Sequence, residues 1–237
     1  MRGAQGLHRA SLNRTARIGR IAMNTAELLQ RCRDIGTSTW SDALDHCGIS
    51  GVVRGLAQRS GRGRFAGFAV TARERAGTFG SFARAEFGVG KMIAAVGPAG
   101  VLMADVGGAD VSTFGGLAAL ATARRGAAAV VIDGGCRDVE EIRASGLWLA
   151  SRTVTPTTGK TRLKLEALGE PVTIGGISVK PGDLVVGDDT GIVVIPRSEL
   201  ERVLAAAEAM LATDAAVEQA LKAGRSFSEA AAAANYI

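Results

Sequence analysis

The sequence predicts an α/β fold, and three features of the chain support this prediction. Helical and strand patterns alternate between residues 91 and 147. The pattern changes to short strands and turns after residue 150, and the last 40 residues are Ala-rich and helical. Alternation of this kind is typical of an α/β domain. We therefore expect a basic tail at residues 1–22, a domain at 23–197 and a C-terminal helical arm at 198–237.

The first elements of the domain follow from capping and periodicity. Residues 25–34 have the spacing of a short amphipathic helix with Thr25 as its cap. Ser41 or Asp42 is expected to cap a brief second helix that ends at Gly48. Apolar and polar residues alternate over residues 64–75, which predicts a strand that extends from the core toward the surface.

The central part of the chain alternates regularly. A helix, a turn and a strand are predicted within KMIAAVGPAGVLMADVG. A second helix, ended by Gly126, is predicted from GGLAALATARRG. The strand AAAVVID and the helix DVEEIRASG follow it. Together these segments predict parallel strands with helical connections.

Beyond residue 150 the pattern is that of hairpins. Residues 171–177 and 178–186 are predicted to pair, with Gly175 and Gly176 in the turn. Asp188 and Asp189 are interpreted as turn residues before the strand GIVVIP, rather than as a metal site. The C-terminal arm could pack on a neighbouring subunit or fold back on its own domain.

Composition excludes several classes of protein. No apolar run approaches the roughly 18 residues of a membrane helix, so no membrane partner is predicted. The cysteines do not form a CxxC motif and are expected to be free thiols in a reducing compartment, which predicts a cytoplasmic location: Cys32, Cys47 and Cys136. With two histidines in the chain, a His-rich zinc site is not expected.

The net charge of +5 comes from the tail. Residues 1–26 hold five arginines and no acidic residue, and the remaining 23 basic residues balance 23 acidic ones. The tail could be a targeting peptide, or sequence upstream of a start at Met23, so it is expected to be disordered or not native. Because it lacks aromatic residues that would stack on bases, we predict no nucleic-acid partner.

The segment VVIDGGCRDV is the most informative motif. It predicts a buried strand, a glycine turn and an Arg-Asp pair, Arg137 and Asp138, before a helix. Open α/β sheets bind ligands at such strand ends, and a helix start offers free N–H groups to an anion. The alternative is a surface ion pair in which Asp138 caps the helix.

Several motifs together resemble the RraA-like family: TSTWSDAL, VVIDGGCRDVEEI, TPTTGKTR and PVTIGGISVKPGDLVVGDDTGIVVIP. The family contains class II pyruvate aldolases that act on 4-hydroxy-4-methyl-2-oxoglutarate and 4-carboxy-4-hydroxy-2-oxoadipate. It also contains the regulator of ribonuclease activity A, an inhibitory binding protein. The resemblance implies a swivelling β/β/α domain, a homotrimer or homohexamer, and sites between subunits.

The resemblance also implies a site for a 2-oxo acid substrate. Asp138 would bind Mg²⁺ or Mn²⁺, and Arg137 would contact the keto oxygen. The substrate carboxylate would lie on the backbone of Gly115, Gly116, Leu117 and Ala118. A catalytic acid on the arm, which reaches a neighbour's site, would correspond to Asp214.

One position departs from the family pattern. The aldolases carry an acidic residue where this chain has Gly116, and Asp105 and Asp110 are the candidates to replace it. The first hypothesis is a metal-dependent lyase that releases pyruvate from 4-hydroxy-2-oxo (di)acids and also decarboxylates oxaloacetate. The second is a non-catalytic regulator that binds an RNA-processing protein. The third is an RraA-like enzyme that acts on a different hydroxy-oxo acid.

Overall fold

The fold is mixed α/β, as predicted. The structure, a computed structural model, describes residues 24–236, so the prediction for the tail at 1–22 lies outside the described residues. The helices are α1 (Thr25–Asp34), α2 (Thr37–His46), α3 (Val89–Ala95), α4 (Gly116–Arg124), α5 (Val139–Ala144), α6 (Leu200–Lys222) and α7 (Phe227–Ala234).

The strands form one large sheet and one small hairpin. In the large sheet the order is β1-β6-β5-β3-β2-β10-β11, with β4 paired to β5 and β7 paired to β2. The hairpin joins β8 and β9. The strands are β1 (Ala57–Ser60), β2 (Phe65–Ala76), β3 (Gly100–Asp105), β4 (Ser112–Phe114), β5 (Ala129–Cys136), β6 (Leu149–Val154), β7 (Leu163–Leu168), β8 (Val172–Ile174), β9 (Ile177–Val179), β10 (Leu184–Gly187) and β11 (Ile192–Ile195).

The centre of the large sheet is parallel. Strands β2, β3, β5 and β6 run in the same direction, whereas β1, β7, β10 and β11 pair antiparallel. Every residue of β5 is buried, which explains its continuous apolar sequence, because a parallel strand is covered on both faces. The parallel centre brings the carboxyl ends of β3 and β5 to one edge.

Three hydrophobic clusters hold the layers together. Helices α1, α2 and α6 pack on β10 and β11 around Trp40, which is fully buried. Helices α3, α4 and α5 cover β3 and β5 around Phe114 and Ile132. The β8–β9 hairpin covers the other face, where Trp148 and Ile174 pack together. Helix α5 is thereby fixed against α4, near the Arg-Asp pair.

The beginning of α6 packs on its own domain. Leu200, Val203, Leu204 and Ala207 lie in the same cluster as Trp40. Helix α7 contacts α6 and is capped by Ser226, whose side chain accepts a hydrogen bond from the Glu229 amide. In the part of the chain that the structure describes, no helix has the length and apolar character needed to span a membrane.

Some local predictions were wrong. Asn24 rather than Thr25 caps α1, and α2 begins at Thr37, four residues before Ser41. The second half of the segment 178–186 belongs to the large sheet as β10, not to the hairpin. Strands β1, β4, β6 and β7 were not predicted, since pairing with neighbours rather than alternation defines them. The turn at Asp188 is confirmed, because its carboxylate accepts bonds from the Thr190 and Gly191 amides.

Candidate active site

The Arg-Asp pair lies where the buried strand β5 ends. The Arg137 amide donates a hydrogen bond to the Phe114 carbonyl at 2.9 Å, which ties the end of β5 to β4. Asp138 has a φ of +55°, in the left-handed region. Aspartate tolerates this conformation better than most residues with a side chain. The turn therefore fixes the direction in which both side chains leave the sheet.

The Asp138 carboxylate points to α4 rather than to its own helix. Its Oδ2 lies 3.5 Å from Arg137 Nε and accepts a hydrogen bond from the Gly116 amide at 3.3 Å. It makes no side-chain cap bond to α5, so the interpretation of Asp138 as a simple helix cap is wrong. Because the side chains of Arg137 and Asp138 are 37% and 41% exposed, both remain accessible to a ligand.

The first turn of α4 provides backbone donors beside this pair. Gly115 precedes the helix, and a Cβ at this position would lie 2.5 Å from Asp138 Oδ2. The amides of Leu117 and Ala118 belong to the first turn, which has no intrahelical acceptors. Asp138 already binds the Gly116 amide, so the two following amides are the donors open to an anion.

One cavity of about 260 Å³ joins these groups. It contains both members of the Arg-Asp pair and the start of α4. The residues that line it are Phe87, Val89, Ser112, Thr113, Phe114, Gly115, Leu117, Ala118, Arg137, Asp138, Thr158 and Lys160. The structure thus brings together most of the residues that were predicted from sequence.

Three predicted acidic residues lie elsewhere. Asp214 is half-buried on α6 and does not line the cavity. Asp105 accepts hydrogen bonds from the Gly107 and Thr173 amides. Asp110 is exposed and also does not line the cavity. Within the single chain, neither Asp105 nor Asp110 stands in for the acidic residue missing at position 116.

Sequence reasoning missed two polar groups near the cavity. Lys160, in the turn of TPTTGKTR, adds a second cation. Thr113 connects the cavity to Glu74, because its hydroxyl donates a hydrogen bond to Glu74 Oε2. The alternation within β2 could have identified Glu74 from the sequence. Arg73 and Arg75 face outward on this strand, so Glu74 between them faces the core.

The steric surroundings of Gly116 explain why it is glycine. A Cβ at this position would lie 2.5 Å from Glu141 Cβ and 3.2 Å from Glu141 Cγ. Contacts under 3 Å are not tolerated, and the obstacle is the base of a helical side chain, not its flexible end. A carboxylate at position 116 therefore requires α5 to move away from α4.

Gly116→Ala is expected to destabilise the protein by about 1–3 kcal/mol, because the added methyl group overlaps Glu141. Urea unfolding would measure this change. Gly90→Ala in α3 is the matched control, since a Cβ there meets open space and alanine favours a helix by about 1 kcal/mol. Addition of Glu141→Gly, but not Glu141→Ala, should relieve the overlap. Equal effects at Gly116 and Gly90 would contradict this account.

Cys136 does not have the surroundings of a nucleophile. Burial raises the pKa of its thiol, and it lies within hydrogen-bonding distance of the Ser151 hydroxyl at 3.3 Å. A reactive thiol requires a lowered pKa. Cys136 therefore fills the core beside the Arg-Asp pair.

A larger open depression of about 740 Å³ lies away from this site, around Arg59, Arg62 and Arg143. Two of its cations are already bound to the backbone. Arg59 donates to the Ser151 and Arg152 carbonyls, and Arg143 donates to the Arg59 carbonyl. The larger volume of this depression does not make it the active site. The smaller cavity is the better candidate, because it combines a cation, a carboxylate and free backbone amides.

Known proteins resemble this chain in sequence and in fold. The sequence model of one family, described as RraA-like: Aldolase/RraA, matches residues 37–194. The chain is 32% identical over 137 residues to the 4-hydroxy-4-methyl-2-oxoglutarate aldolase of Thermus thermophilus. This match covers 57% of this chain and 78% of that protein. It is also 29% identical to protein DlpA of Legionella pneumophila over 86% of this chain, but it spans 33% of that protein's length.

A solved structure is similar over most of the chain. It is that of RraAS2 from Streptomyces coelicolor, described as an unusual member of the RNase ES inhibitor RraA protein family. The TM-score is 0.70 at 25% identity, and the match covers 85% of this chain and 98% of that one. The match to the family model and the similarity of the fold show that this chain belongs to the RraA-like family.

Proposed function

We propose that this protein is a divalent-metal-dependent lyase that cleaves 4-hydroxy-2-oxo acids and diacids to pyruvate by a retro-aldol reaction. The supporting observation is that Arg137, Asp138 and the open amides of α4 share one cavity. A cation, a carboxylate and backbone donors are the groups that a 2-oxo acid requires. Oxaloacetate decarboxylation would accompany this activity, because both reactions pass through the pyruvate enolate.

The proposed metal is Mg²⁺ or Mn²⁺, and Asp138 would hold it. Among residues 24–236, no group of three or more His, Cys, Asp or Glu side chains is positioned to hold an ion. A single half-exposed carboxylate nevertheless fits Mg²⁺, which keeps several waters and is often held by one or two carboxylates and its substrate. Such an ion supplies Lewis acidity at the 2-keto oxygen.

The side chains and amides of the cavity would orient the substrate. The Leu117 and Ala118 amides would bind the C1 carboxylate, where the helix start favours negative charge. The Arg137 guanidinium would donate to the keto oxygen and stabilise the charge that develops as the C3–C4 bond breaks. Lys160, which lines the same cavity, would bind the second carboxylate of a diacid.

Assembly as a homotrimer or homohexamer is part of the proposal. Leu117 at the cavity is 86% exposed and Leu120 on the same helix is 47% exposed, so a neighbouring subunit would cover apolar surface there. A neighbour's Asp214 would then be the added catalytic acid. We further propose a cytoplasmic location, supported by the three unpaired thiols.

Pyruvate release, coupled to lactate dehydrogenase, tests the function. The substrates are 4-hydroxy-4-methyl-2-oxoglutarate, 4-carboxy-4-hydroxy-2-oxoadipate and oxaloacetate, each with Mg²⁺ or Mn²⁺. We expect turnover that EDTA abolishes and added metal restores, because the keto oxygen then loses and regains its Lewis acid. If no pyruvate forms from any of them with either metal, the proposal is wrong.

A second candidate is a non-catalytic regulator that binds an RNA-processing protein. The tight contact between Gly116 and Glu141 favours it, because it leaves no room for a carboxylate at position 116. If the wild type releases no pyruvate but captures an RNA-processing protein in stoichiometric amount, the regulator function is supported. An RraA-like enzyme that acts on another hydroxy-oxo acid is the remaining alternative, and turnover of a wider set of these acids would distinguish it.

A further inference from the structure

Glu74 is a buried acid for which the fold offers incomplete hydrogen bonding. Its neighbours Arg73 and Arg75 form ion pairs with Glu170 and Glu166 on the outside of β2, whereas Glu74 is 4% exposed. Its Oε2 accepts a bond from Thr113, and its Oε1 is buried without a partner among the described residues. A buried polar atom of this kind has lost its contact with water without gaining a hydrogen bond in return, and it calls for an explanation.

The position of Thr113 suggests that explanation. Thr113 lies on β4 and lines the cavity that contains Arg137 and Asp138. The carbonyl of the next residue, Phe114, accepts the Arg137 amide at 2.9 Å. The threonine thus stands between the cavity and Glu74, with its hydroxyl donating toward the buried acid.

We propose that Glu74 accepts and then returns the proton of the retro-aldol reaction through the Thr113 hydroxyl. This inference rests on the proposed lyase function. It assigns the general base, which position 116 cannot supply because it is glycine. The substrate C4 hydroxyl gives its proton to Thr113 Oγ1 while Thr113 passes its own to Glu74. The C3–C4 bond then breaks, its electron pair forming the pyruvate enolate and C4 becoming a carbonyl. The proton returns by the same route to C3.

The surroundings of Glu74 suit both directions of transfer. Burial raises the pKa of its carboxyl to about 7, against the lowering effect of the Thr113 hydrogen bond. A group with a pKa near the working pH can both take and give a proton. Burial is the main cause of this shift. The charged residues on β2 and on the strands paired with it are Arg73, Arg75, Asp105, Lys164 and Glu166.

The test compares Glu74→Gln and Thr113→Val with the wild type, using the full-length protein loaded with Mg²⁺. Each variant should lower kcat for pyruvate release by about 10²-fold, the usual contribution of a general acid or base, while KM changes little. The wild-type kcat should rise with pH through the pKa of Glu74, and Glu74→Gln should lose this rise. Thr113→Ser keeps the hydroxyl and should lose far less activity than Thr113→Val.

Controls separate proton transfer from structural damage. Glu170→Gln removes an acid whose side chain is 61% exposed and should leave the kinetics unchanged. Thermal unfolding reports whether each variant folds. Infrared difference spectra between wild type and Glu74→Gln should show a protonated carboxylic acid whose band disappears as the pH rises through neutrality.

The outcomes are distinguishable. If the wild type is active and Glu74→Gln has the same kcat and the same pH profile, the proton relay is wrong and the lyase function still holds. A wild type that releases no pyruvate would overturn the lyase, and the relay with it. Loss of kcat with retained KM, together with loss of the pH-dependent step, would establish the relay.

Discussion

Arg137→Ala is expected to lower kcat/KM for pyruvate release by about 10²- to 10³-fold, the usual effect of removing a donor that stabilises transition-state charge. Arg137 lies in the cavity and is partly exposed, with its Nε 3.5 Å from Asp138 Oδ2. It is therefore held beside the proposed metal ligand while part of its guanidinium stays free for substrate. Steady-state kinetics at saturating Mg²⁺ would measure the loss.

Two further variants define what Arg137 contributes. Arg137→Lys keeps the charge but not the planar set of donors, so it should recover only part of the activity. Arg124→Lys, at the exposed C-terminal end of α4, is the matched control and should behave as wild type. If Arg137→Lys were fully active, a simple positive charge would suffice and the directional role of the guanidinium would be wrong.

Asp138→Asn should abolish detectable Mn²⁺ binding and reduce turnover by a similar 10²- to 10³-fold, about 3–4 kcal/mol in transition-state stabilisation. Asparagine is the suitable replacement because Asp138 has a φ of +55°, which asparagine also tolerates. Its side-chain oxygen can still accept the Gly116 amide, as Asp138 does at 3.3 Å. The turn is thus preserved while the negative charge is lost.

Calorimetric titration with Mn²⁺ gives a readout that is independent of catalysis. Asp110→Asn, an exposed acid in the segment before α4, is the control and should bind Mn²⁺ as wild type does. If Asp138→Asn binds Mn²⁺ as tightly as the wild type, Asp138 is not the metal ligand and another carboxylate must hold the ion. Lost binding with unchanged turnover would instead show that the reaction needs no metal at Asp138.

Much of the architecture could be predicted from the sequence. The apolar segment that became β5 is buried throughout, and the strand and helix patterns around it gave α3, β3, α4 and α5 in the right order. The Arg-Asp pair could be placed at a strand end because that position depends only on local periodicity. Gly115 and Gly116 likewise marked the entry to α4, where glycine permits a close backbone approach.

The remaining features depend on contacts between segments that are distant in sequence. Glu74 and Thr113 are 39 residues apart, and only the pairing of the sheet brings the buried acid to the wall of the cavity. The space taken by Glu141 beside Gly116 and the presence of Lys160 in the cavity are likewise results of packing. Sequence determined which chemical groups were available at the strand end, because local patterns specify elements. Tertiary structure decided which of them meet, because sheet register and helix packing set distances that no local pattern encodes.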